Sequence, residues 1–585
     1  MDTDTLLVLL TISIPWLGGI CVWLVGDRHP NIQHRLATVF ALLGGIVSLS
    51  LLQYTQGQTV INIPLGGAFG DFTLVLDGLG AYLTIIAAVI GGLAVIFSND
   101  YMKGENQLGR YYSLTFLFIG AMIGLVLSGS LLFVFLFWEI TAFCSYALIS
   151  FHNDDPKAVA GGIKALIITS IGGVGLLIGA IVVYAYLNSY QINDLLVGAE
   201  SLPPSVLGLI AFGFLIAAAA KSAQVPFQTW LPDAMEAPTP ISALIHAATM
   251  VNAGVYLLAR FYPAFETVPG WRMTVMLVGM LSALLAGIMA VVVYDLKRTL
   301  AYSTIAQLGV MVYAIGAGAI LASQFHLLSH SVFKALLFLG AGAVIHAVGT
   351  RDMREMGGLG KQMPFVRVVF IIGAISLIGL PLTNGFVSKE LILEAGLEHT
   401  PFLLFALVMF GAGLTALYST RMVWMVFYGE PRGEKHAHDA PGAMRFSLAL
   451  LAFGTMTTWL LIGPFSQFLA NSLPPSYEIE VVKTWEVILK VISTPATWVA
   501  LLVAFLGASL WFLRDRFAGF VASLQPLADF IRGGLGFEWI NQQIIRITKG
   551  TAAAFRPTQT GLLSWNVFGI VGGLVILLVL IVWGV

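Results

Sequence analysis

The stretch of sequence that is most informative about the fold is an apolar run followed by a charged residue and a proline. Residues 215–226 read LIAAAAKSAQVP, so Lys221 follows six apolar residues and precedes Pro226. A charge at bilayer depth costs on the order of a few kcal/mol and is a functional-site hypothesis by default. Proline removes a backbone hydrogen bond, and non-helical backbone at membrane depth persists only where it lines a cavity or packs in protein. The stretch therefore predicts a broken membrane helix that carries a functional lysine.

The composition is that of a membrane protein. Of the 585 residues, 58% are hydrophobic and 10% are charged, and the mean hydropathy is +0.90, which excludes a soluble globular protein. The net charge of -1 predicts no nucleic-acid partner. Cys21 and Cys144 both fall in apolar runs, which argues against a disulfide or a metal site. The sequence contains no nucleotide, haem or iron–sulfur motif, so we expect no cofactor and no catalysis on this chain itself.

Apolar runs predict an all-α polytopic membrane protein. Runs of roughly 18 or more apolar residues are long enough to span a bilayer, and they predict about sixteen helices. Their centres lie near residues 15, 45, 88, 120, 140, 173, 213, 250, 283, 312, 337, 376, 414, 456, 504 and 574. Lys and Arg recur in alternate loops, whereas the loops at 56–76 and 188–204 contain neither. Because basic loops stay in the cytoplasm, we expect both termini to lie outside a bacterial-type inner membrane. Arg260 and Arg272 are exceptions to the rule.

Two blocks of similar length, residues 112–262 and 273–428, each contain five of the predicted spans. An odd number of spans reverses the orientation of the second block, as in an inverted repeat. Lys221 precedes Pro226 in the first block, and Pro381 precedes Lys389 in the second. The predicted segments are N-terminal transmembrane helices at 1–111, the two repeats, C-terminal transmembrane helices at 429–513, an amphipathic cytoplasmic-surface segment at 514–560 and a final anchor helix at 561–585.

The amphipathic assignment rests on residues 514–560, where six basic residues alternate with aromatic and aliphatic ones at helical spacing. This pattern predicts a helix that lies on the membrane surface. A plain linker is the alternative.

Four charged residues lie in apolar surroundings and suggest a route for protons or cations: Glu139, Lys221, Lys334 and Lys389. Glu139 and Lys221 have opposite signs in nearby spans, so one hypothesis is an ion pair whose strength changes with proton occupancy. Desolvation disfavours the charged form of a lysine that has lost its partner. The alternative is a static buried pair.

A row of histidines extends this route. His326, His330 and Lys334 recur at i, i+4 and i+8, which places them on one face of one helix. Histidine titrates near neutral pH, so the row can pass protons. The alternative is that each histidine is satisfied by a backbone carbonyl. A zinc site is not expected, because no cysteine or carboxylate lies nearby in sequence.

His246 belongs to the predicted pathway because it lies in the span after the first break, where it can bridge the two halves. Four further residues are accessory candidates. Lys164 either snorkels to the surface or takes part in a relay. Asp233 and Glu236, in a proline-rich loop, either cap the next helix or line a cytoplasmic opening. Glu390 lies in the second broken region.

Several of these runs resemble the signature of the proton-translocating antiporter-like subunits, which occur in respiratory complex I and in multisubunit Mrp cation/proton antiporters. The matching runs are 221–227 (KSAQVPF), 230–240 (WLPDAMEAPTP), 242–250 (SALIHAATM), 303–309 (STIAQLG), 325–330 (FHLLSH), 379–381 (GLP) and 385–390 (GFVSKE). The resemblance is strongest over residues 70–430.

The resemblance implies a role for each pathway residue. Glu139 is then the glutamate of a first half-channel, and Lys221 is its partner lysine in the broken helix. Lys389 is the lysine of the second broken helix and leads to the exit side. The residues of the central hydrated axis are then His246, His326, His330 and Lys334.

The resemblance favours the A-type subunit of the Mrp antiporters, which moves protons with Na⁺ as a coupled ion. Residues 349–352 and 388–390 are more similar to that branch, and residues 171–174 lack an acidic residue common in complex I. The alternative is the largest antiporter-like subunit of complex I, or of a related hydrogenase or bicarbonate-uptake complex, which residues 334–342 resemble. Either branch implies other membrane subunits and the lipid bilayer as partners. A purely structural scaffold is a third hypothesis, which the buried charges disfavour.

Overall fold

The computed structural model describes residues 3–53, 57–64, 71–432 and 437–555. Most of this chain is helical. The first helices are α1 (Thr3–Val25), α2 (Pro30–Ser50), α3 (Gly78–Tyr101), α4 (Leu108–Leu127), α5 (Leu131–Ile149), α6 (Pro156–Leu187), α7 (Ile192–Gly198), α8 (Pro204–Lys221), α9 (Trp230–Asp233), α10 (Thr239–Ala243), α11 (Met250–Arg260) and α12 (Tyr262–Phe265). The later helices are α13 (Trp271–Val292), α14 (Leu296–Gly316), α15 (Ile320–Val348), α16 (Pro364–Ile378), α17 (Asn384–His399), α18 (Phe402–Val423), α19 (Gly442–Thr457), α20 (Ile462–Ser472), α21 (Thr484–Ser493), α22 (Pro495–Leu513), α23 (Ala518–Ser523), α24 (Gln525–Arg532) and α25 (Phe537–Phe555).

Fourteen spans among the described residues are long and apolar enough to cross a bilayer. They are α1 to α6, α8, α10 with α11, α13, α14, α15, α18, α19 with α20, and α22. The span predicted near residue 376 is α16, which has 15 residues and is shorter than the others. The span predicted near residue 574, within the anchor assigned to 561–585, lies outside the described residues. The protein is therefore a multi-pass helical membrane protein, as the apolar runs predict.

Aspartate residues fix where several spans begin. Asp77, Asp155 and Asp295 stand before α3, α6 and α14, and each accepts a hydrogen bond from a first-turn N–H, at 3.0, 2.9 and 2.9 Å. A capping carboxylate satisfies one of the backbone donors that a helix start leaves unpaired. The loop before α3 also contains a short antiparallel hairpin, β1 (Thr59–Ile63) and β2 (Phe72–Leu76), in which Thr59 pairs with Leu76.

Both predicted helix breaks are present. α8 ends at Lys221 and α9 begins at Trp230, while α16 ends at Ile378 and α17 begins at Asn384. Gly379 adopts φ +90° at the second break, a left-handed conformation that costs glycine little. Each break thus places a lysine beside non-helical backbone at membrane depth.

The core of the membrane bundle is formed by α3, α11, α14 and α15, in which most residues are buried. The outer helices, such as α2, α6 and α22, are mostly exposed on one aliphatic face. Because a lipid-facing charge is costly, this arrangement keeps the polar residues of α14 and α15 away from lipid.

The described chain divides into two compact units, the first ending at Ser523 and the second beginning at Leu524. The segment predicted to be amphipathic, 514–560, is helical over α23, α24 and α25. Its last residues, 556–560, lie outside the described part of the chain.

Candidate ion pathway

The predicted pathway residues lie on membrane helices or at their breaks. Six are buried, with exposures between 0% and 9%: Lys221, His246, His326, His330, Lys334 and Lys389. Glu139, on α5, is half-buried. Polar groups inside a membrane protein must find partners within it, so the partners of these seven side chains define what the site can do.

Glu139 lies in a slot between α5 and α6. Its Oε2 accepts a hydrogen bond from the Ser170 hydroxyl at 2.7 Å, and its Oε1 has no hydrogen-bond partner within the described chain. Gly173 lies against that Oε1, and a β-carbon there would collide with it. The missing side chain at Gly173 therefore makes room for the carboxylate.

Lys221 is the last residue of α8 and is completely buried. Its Nζ donates to the Trp138 carbonyl oxygen at 2.7 Å and lies 4.9 Å from the centroid of the Trp138 ring. A desolvated cation over an aromatic face gains about 2 kcal/mol. No direct ion pair joins Lys221 to Glu139 in the described chain. Instead α5 holds the two charges on adjacent residues, the ammonium at the Trp138 backbone and the carboxylate on the next side chain.

The backbone at the first break is bonded by side chains from neighbouring elements. The Trp230 indole N–H donates to the Ala220 carbonyl oxygen at 2.9 Å. The Val225 N–H donates to the Ser282 hydroxyl on α13 at 2.9 Å. Satisfying the freed backbone groups is the condition for a broken helix at membrane depth. These bonds hold Lys221 at a defined depth.

His246 lies in a π-helical turn, Leu244–Ala248, between α10 and α11. Its ring stacks on Phe338 of α15, with centroids 4.8 Å apart and planes 13° from parallel. Neither ring nitrogen has a hydrogen-bond partner within the described chain. π-Helical turns frequently occur at functional sites, and this one directs an imidazole into the bundle core.

The two histidines of α15 differ in their surroundings. His326 bonds through Nδ1 to the Ser388 hydroxyl at 2.8 Å and through Nε2 to Gln307 Oε1 at 3.1 Å. His330, with its ring centroid 6.4 Å from that of His326, has no bonded nitrogen within the described chain. Satisfaction of each histidine by a backbone carbonyl, the alternative interpretation, is therefore not what the structure shows.

The two lysines of the second half bind backbone oxygens. Lys334 donates to the Leu300 carbonyl at 3.2 Å and to the Ser303 hydroxyl, both on α14. Lys389 donates to the last carbonyl oxygens of α16, those of residues 377–378. A cation is favoured at a helix C-terminus by the unpaired carbonyls and the helix dipole. Lys389 is thus tied to the end of its own broken helix.

Known proteins are similar to this chain in both sequence and architecture. The chain matches a family model described as NADH:quinone oxidoreductase/Mrp antiporter, TM, over residues 128–415, and a second described as NADH-Ubiquinone oxidoreductase (complex I), chain 5 N-terminus, over residues 63–112. Na(+)/H(+) antiporter subunit A1 of Staphylococcus haemolyticus is 39% identical in an alignment of 457 residues, and the alignment covers 72% of this chain and 57% of the relative. The chain belongs to this antiporter-like family.

Further relatives agree with this membership. The protein of the same name from Staphylococcus aureus is 38% identical over 73% of this chain and 57% of its own length. A chain in the Mrp complex from Dietzia sp. superimposes with a TM-score of 0.83 at 30% identity, covering 100% of this chain and 63% of that one. The membrane-bound sulfane sulfur reductase, an archaeal respiratory complex, shares the fold with a TM-score of 0.71 at 24% identity, over 82% of this chain and 99% of that one. The antiporter-like chain described here spans 57% of the length of the curated relatives it matches.

In this antiporter-like chain, the acidic residues after the first break are bound by basic ones. Asp233 accepts hydrogen bonds from Lys164 at 2.8 Å and from Arg298 at 2.8 Å. Asp233 makes no cap bond with its side chain, and α10 begins after Pro238, so the capping prediction is wrong. Lys164 is ion-paired rather than simply extended to the surface.

Glu236 is part of a second charged cluster at the same loop. Arg351 donates to both of its carboxylate oxygens at 3.0 Å and lies 3.3 Å from Asp295. Burial acts to lower the pKa of Arg351, but the hydrogen bond that it donates to Glu236 and the charge of Asp295 together raise it above its usual value. The cap predicted for Glu236 is also absent, since its carboxylate is occupied by the guanidinium.

The remaining accessory residue, Glu390, is 6% exposed and faces the Thr497 hydroxyl of α22. It lies beside Lys389 in sequence but forms no ion pair with it in the described chain. Both residues therefore stand at the second break with separate partners.

Sequence reasoning missed a buried ion pair at another end of the antiporter-like bundle. Arg260 donates to both carboxylate oxygens of Asp77, one of them at 2.9 Å, and its Nε donates to the Tyr256 hydroxyl at 3.1 Å. All three side chains are buried. The signal was available, because Arg260 breaks the positive-inside pattern and a buried arginine requires a carboxylate.

Gln307 and Ser388 were also missed, although both bond His326. They are neutral and lie among ordinary helix residues, so no cost or spacing argument selects them. Their role becomes visible only when α14, α15 and α17 are packed together.

Proposed function

We propose that this chain is the proton-conducting membrane subunit of a multisubunit Mrp-type Na⁺/H⁺ antiporter. The curated relatives it matches are named as subunits of Na(+)/H(+) antiporters. The buried lysines and histidines carry the protons, and Na⁺ movement is coupled to them through the assembly. The chain itself performs no covalent chemistry.

One observation carries this proposal: buried polar atoms without a protein partner recur along the pathway. Within the described chain these atoms include Oε1 of Glu139, Oε1 of Gln224, the hydroxyls of Ser242 and Ser329, and both ring nitrogens of His246 and His330. Leaving such an atom unpaired costs about 1–3 kcal/mol, and ordered water is the usual remedy in protein interiors. The row therefore supports a hydrated proton path across the bundle.

In the first half, Lys221 binds the proton, and the charge state of Glu139 controls its release. The charged carboxylate stabilises the ammonium bound at the Trp138 carbonyl. Protonation of Glu139 removes that negative charge, which weakens the hold on the ammonium and favours release of its proton. The released proton moves toward His246, whose ring lies against Phe338 of α15.

In the second half, α15 and α17 carry the proton onward. The path follows Lys334, His330 and His326 along one helix face. His326 bonds the Ser388 hydroxyl at 2.8 Å, and Ser388 precedes Lys389 in the chain. Lys389 then delivers the proton at the second break.

The proposed architecture gives each half its own orientation. Residues 112–262 and 273–428 form two inverted five-helix repeats, flanked by helices at 1–111 and 429–513, and both termini lie outside a bacterial cytoplasmic membrane. The basic loops, including the one with Arg351, face the cytoplasm. The amphipathic segment and anchor, 514–585, and the exposed aliphatic faces contact lipid and the other membrane subunits.

A second candidate function follows from the family models, whose descriptions include NADH:quinone oxidoreductase. In that case redox chemistry on partner subunits drives the same pathway. Mass spectrometry of the complex purified through this chain separates the two. Small hydrophobic Mrp-type partners support the antiporter, whereas quinone-reductase and iron–sulfur subunits support the redox pump.

Proton movement in inverted vesicles containing the complete complex tests the pathway. Adding Na⁺ to energised vesicles should release accumulated protons, and Lys221→Ala should abolish this release while the complex stays assembled. Lys103→Ala, which changes an exposed loop lysine, is the matched control. Unchanged exchange in assembled Lys221→Ala complex would show that Lys221 is structural and that the scaffold hypothesis is correct.

A further inference from the structure

The row of polar pathway residues on α15 is interrupted before the end of the helix and then resumes. Every fourth residue of this row is, in order, His326, His330, Lys334, Phe338, Gly342 and His346. Residues four apart are neighbours on a helix surface. Phe338 and Gly342 have no polar side chain, so the row is interrupted for two positions before it reaches His346, which is exposed.

Side chains from α10 and the π-helical turn lie over this interruption. His246 stacks on Phe338 at 4.8 Å between centroids. Thr239 packs on Gly342, where a β-carbon would lie 2.9 Å from its Cγ2. The small residue on α15 therefore brings a buried hydroxyl, 1% exposed, into the position that the row leaves empty of polar groups.

Tyr101, the last residue of α3, connects this hydroxyl to the surface. Its phenol oxygen lies 3.0 Å from Thr239 Oγ1, and its ring contacts the ring of His346 at 5.6 Å between centroids. The ring of His438 lies 5.9 Å from that of His346. The charge of Asp100 also acts on His346.

Ser242 fills the interval between Thr239 and His246. Thr239 and Ser242 are three residues apart on α10, so their β-carbons lie about 5–6 Å apart, and His246 follows four residues later in the π-helical turn. The Ser242 hydroxyl and both His246 nitrogens are buried and have no hydrogen-bond partner within the described chain. Ordered water is the usual partner of buried polar groups that have none in the protein, and it would connect these side chains.

We propose that Tyr101, Thr239 and Ser242 conduct protons between His346 at the surface and His246 in the pathway. This inference rests on the proposed function and adds a cytoplasmic access route to it. Each hydroxyl accepts a proton on its oxygen and gives its own hydrogen to the next acceptor, so no side chain is changed by a transfer. His346, with His438 and Asp100 beside it, takes up the proton from the surface.

Substitutions at Thr239 test the route without changing its shape. Thr239→Val keeps the volume and removes the hydroxyl, and we expect Na⁺-dependent proton release from vesicles to fall about 100-fold, the low end of what a positioned proton-transfer group contributes. Thr239→Ser restores the hydroxyl and should return most of the rate. Thr115→Val, which removes a buried hydroxyl bonded to its own helix at 2.7 Å, is the matched control and should behave as wild type.

Substitution of Tyr101 provides a second readout. Tyr101→Phe keeps the ring against His346 and removes the phenol oxygen, so the rate should again fall about 100-fold. Tyr111→Phe, which removes another buried phenol bonded at 2.8 Å to Ser98, should leave the rate unchanged.

The outcomes separate this inference from the proposed function. If Lys221→Ala abolishes exchange while Thr239→Val and Tyr101→Phe keep the wild-type rate, the pathway is correct and this access route is wrong. Equal losses in Thr239→Val and Thr239→Ser would also overturn the route, because packing rather than the hydroxyl would then decide the rate. If Lys221→Ala exchanges normally, the proposed function itself fails.

Discussion

The two broken helices carry the same sequence cue, a proline and a lysine, but they bind the lysine in different ways. Lys221 reaches across to another helix, where it binds the Trp138 carbonyl and lies over its ring. Lys389 turns back to the end of the helix that precedes it, at residues 377–378. The first lysine is fully buried and the second is 9% exposed.

This difference shows that a proline and a lysine in the sequence predict a helix break but not which group the lysine binds. The first break couples two helices, because the ammonium and the carboxylate of Glu139 are held by adjacent residues of α5. The second break is locally closed, and Glu390 provides an additional titratable group beside its lysine. The first should therefore control transport more strongly than the second.

The largest expected effect is the contrast between Lys221→Met and Lys389→Met. Lys221→Met should lower proton flux by about 100-fold or more, the scale of losing a proton-transfer group, whereas Lys389→Met should lower it about tenfold because Glu390 still binds a proton at the same break. Flux into vesicles per assembled complex measures both.

Adding Glu390→Gln to Lys389→Met sharpens this contrast, because the double variant should fall to the level of Lys221→Met. Equal losses in the two single variants would mean that Glu390 does not substitute for the lysine and that the breaks are equivalent.

The aromatic face at the first break gives a smaller effect. Trp138→Leu keeps the carbonyl that binds Lys221 but removes the ring, so the ammonium loses about 2 kcal/mol and flux should fall roughly 30-fold. Trp138→Phe should keep most of the rate. Phe386→Leu at the second break, where no ring contacts the lysine in the described chain, is the control. A normal rate in Trp138→Leu would assign the ring to packing.

Gly379 lies at the second break. Its substitution should lower the stability of the complex without changing transport through the first break. Gly379→Ala places a side chain at φ +90° and brings its β-carbon to 3.1 Å from Lys389 Cδ. A left-handed backbone costs a non-glycine residue about 1–2 kcal/mol, so the purified complex should unfold at a lower temperature. Gly442→Ala, in open space, should leave the unfolding temperature unchanged.

The smallest expected effect has the opposite sign. Ala223, at the first break, adopts φ +51° although it carries a β-carbon. Ala223→Gly should relieve the strain and raise stability by up to about 1 kcal/mol, reduced by the greater freedom of glycine in the unfolded chain. A lower unfolding temperature would show that the buried methyl group contributes more than the strain costs.

The sequence alone predicted most of the membrane helices and the burial of most candidate pathway residues, because both depend on the cost of placing a group in or out of water. The roles of those residues stay predictions. Apolar runs predict the membrane helices, and a charge inside such a run, as at Lys221 or Lys334, has to be internal. The cue overestimates α16, because the apolar run continues to Leu382 whereas the helix ends at Ile378. Cost arguments also select residues without identifying their partners, which explains why the direct Glu139–Lys221 pair was expected and is absent.

Tertiary packing decided the remainder. A helix cap was one of two interpretations of Asp233, the other being a place at a cytoplasmic opening. Lys164 and Arg298 approach from α6 and α14 and occupy its carboxylate, so it makes no cap. Neutral residues such as Gln307 acquire a role only through neighbours that are distant in sequence. The inverted repeats and the segment boundaries stay predictions.

The π-helical turn at Leu244–Ala248 means that the number of residues in this span determines how its two ends are rotated relative to each other. The Thr249 N–H bonds the Leu244 carbonyl five residues back, at 3.0 Å, so the turn contains one residue more than an α-helix would. Each residue advances a helix by about 100°, and the two sides of the turn are therefore rotated relative to each other. Deleting one residue here would leave a continuous apolar span, yet His246 on Phe338 and Arg260 on Asp77 could no longer both keep their partners. Such a deletion would therefore break the contact of His246 or the ion pair of Arg260 although it removes neither residue.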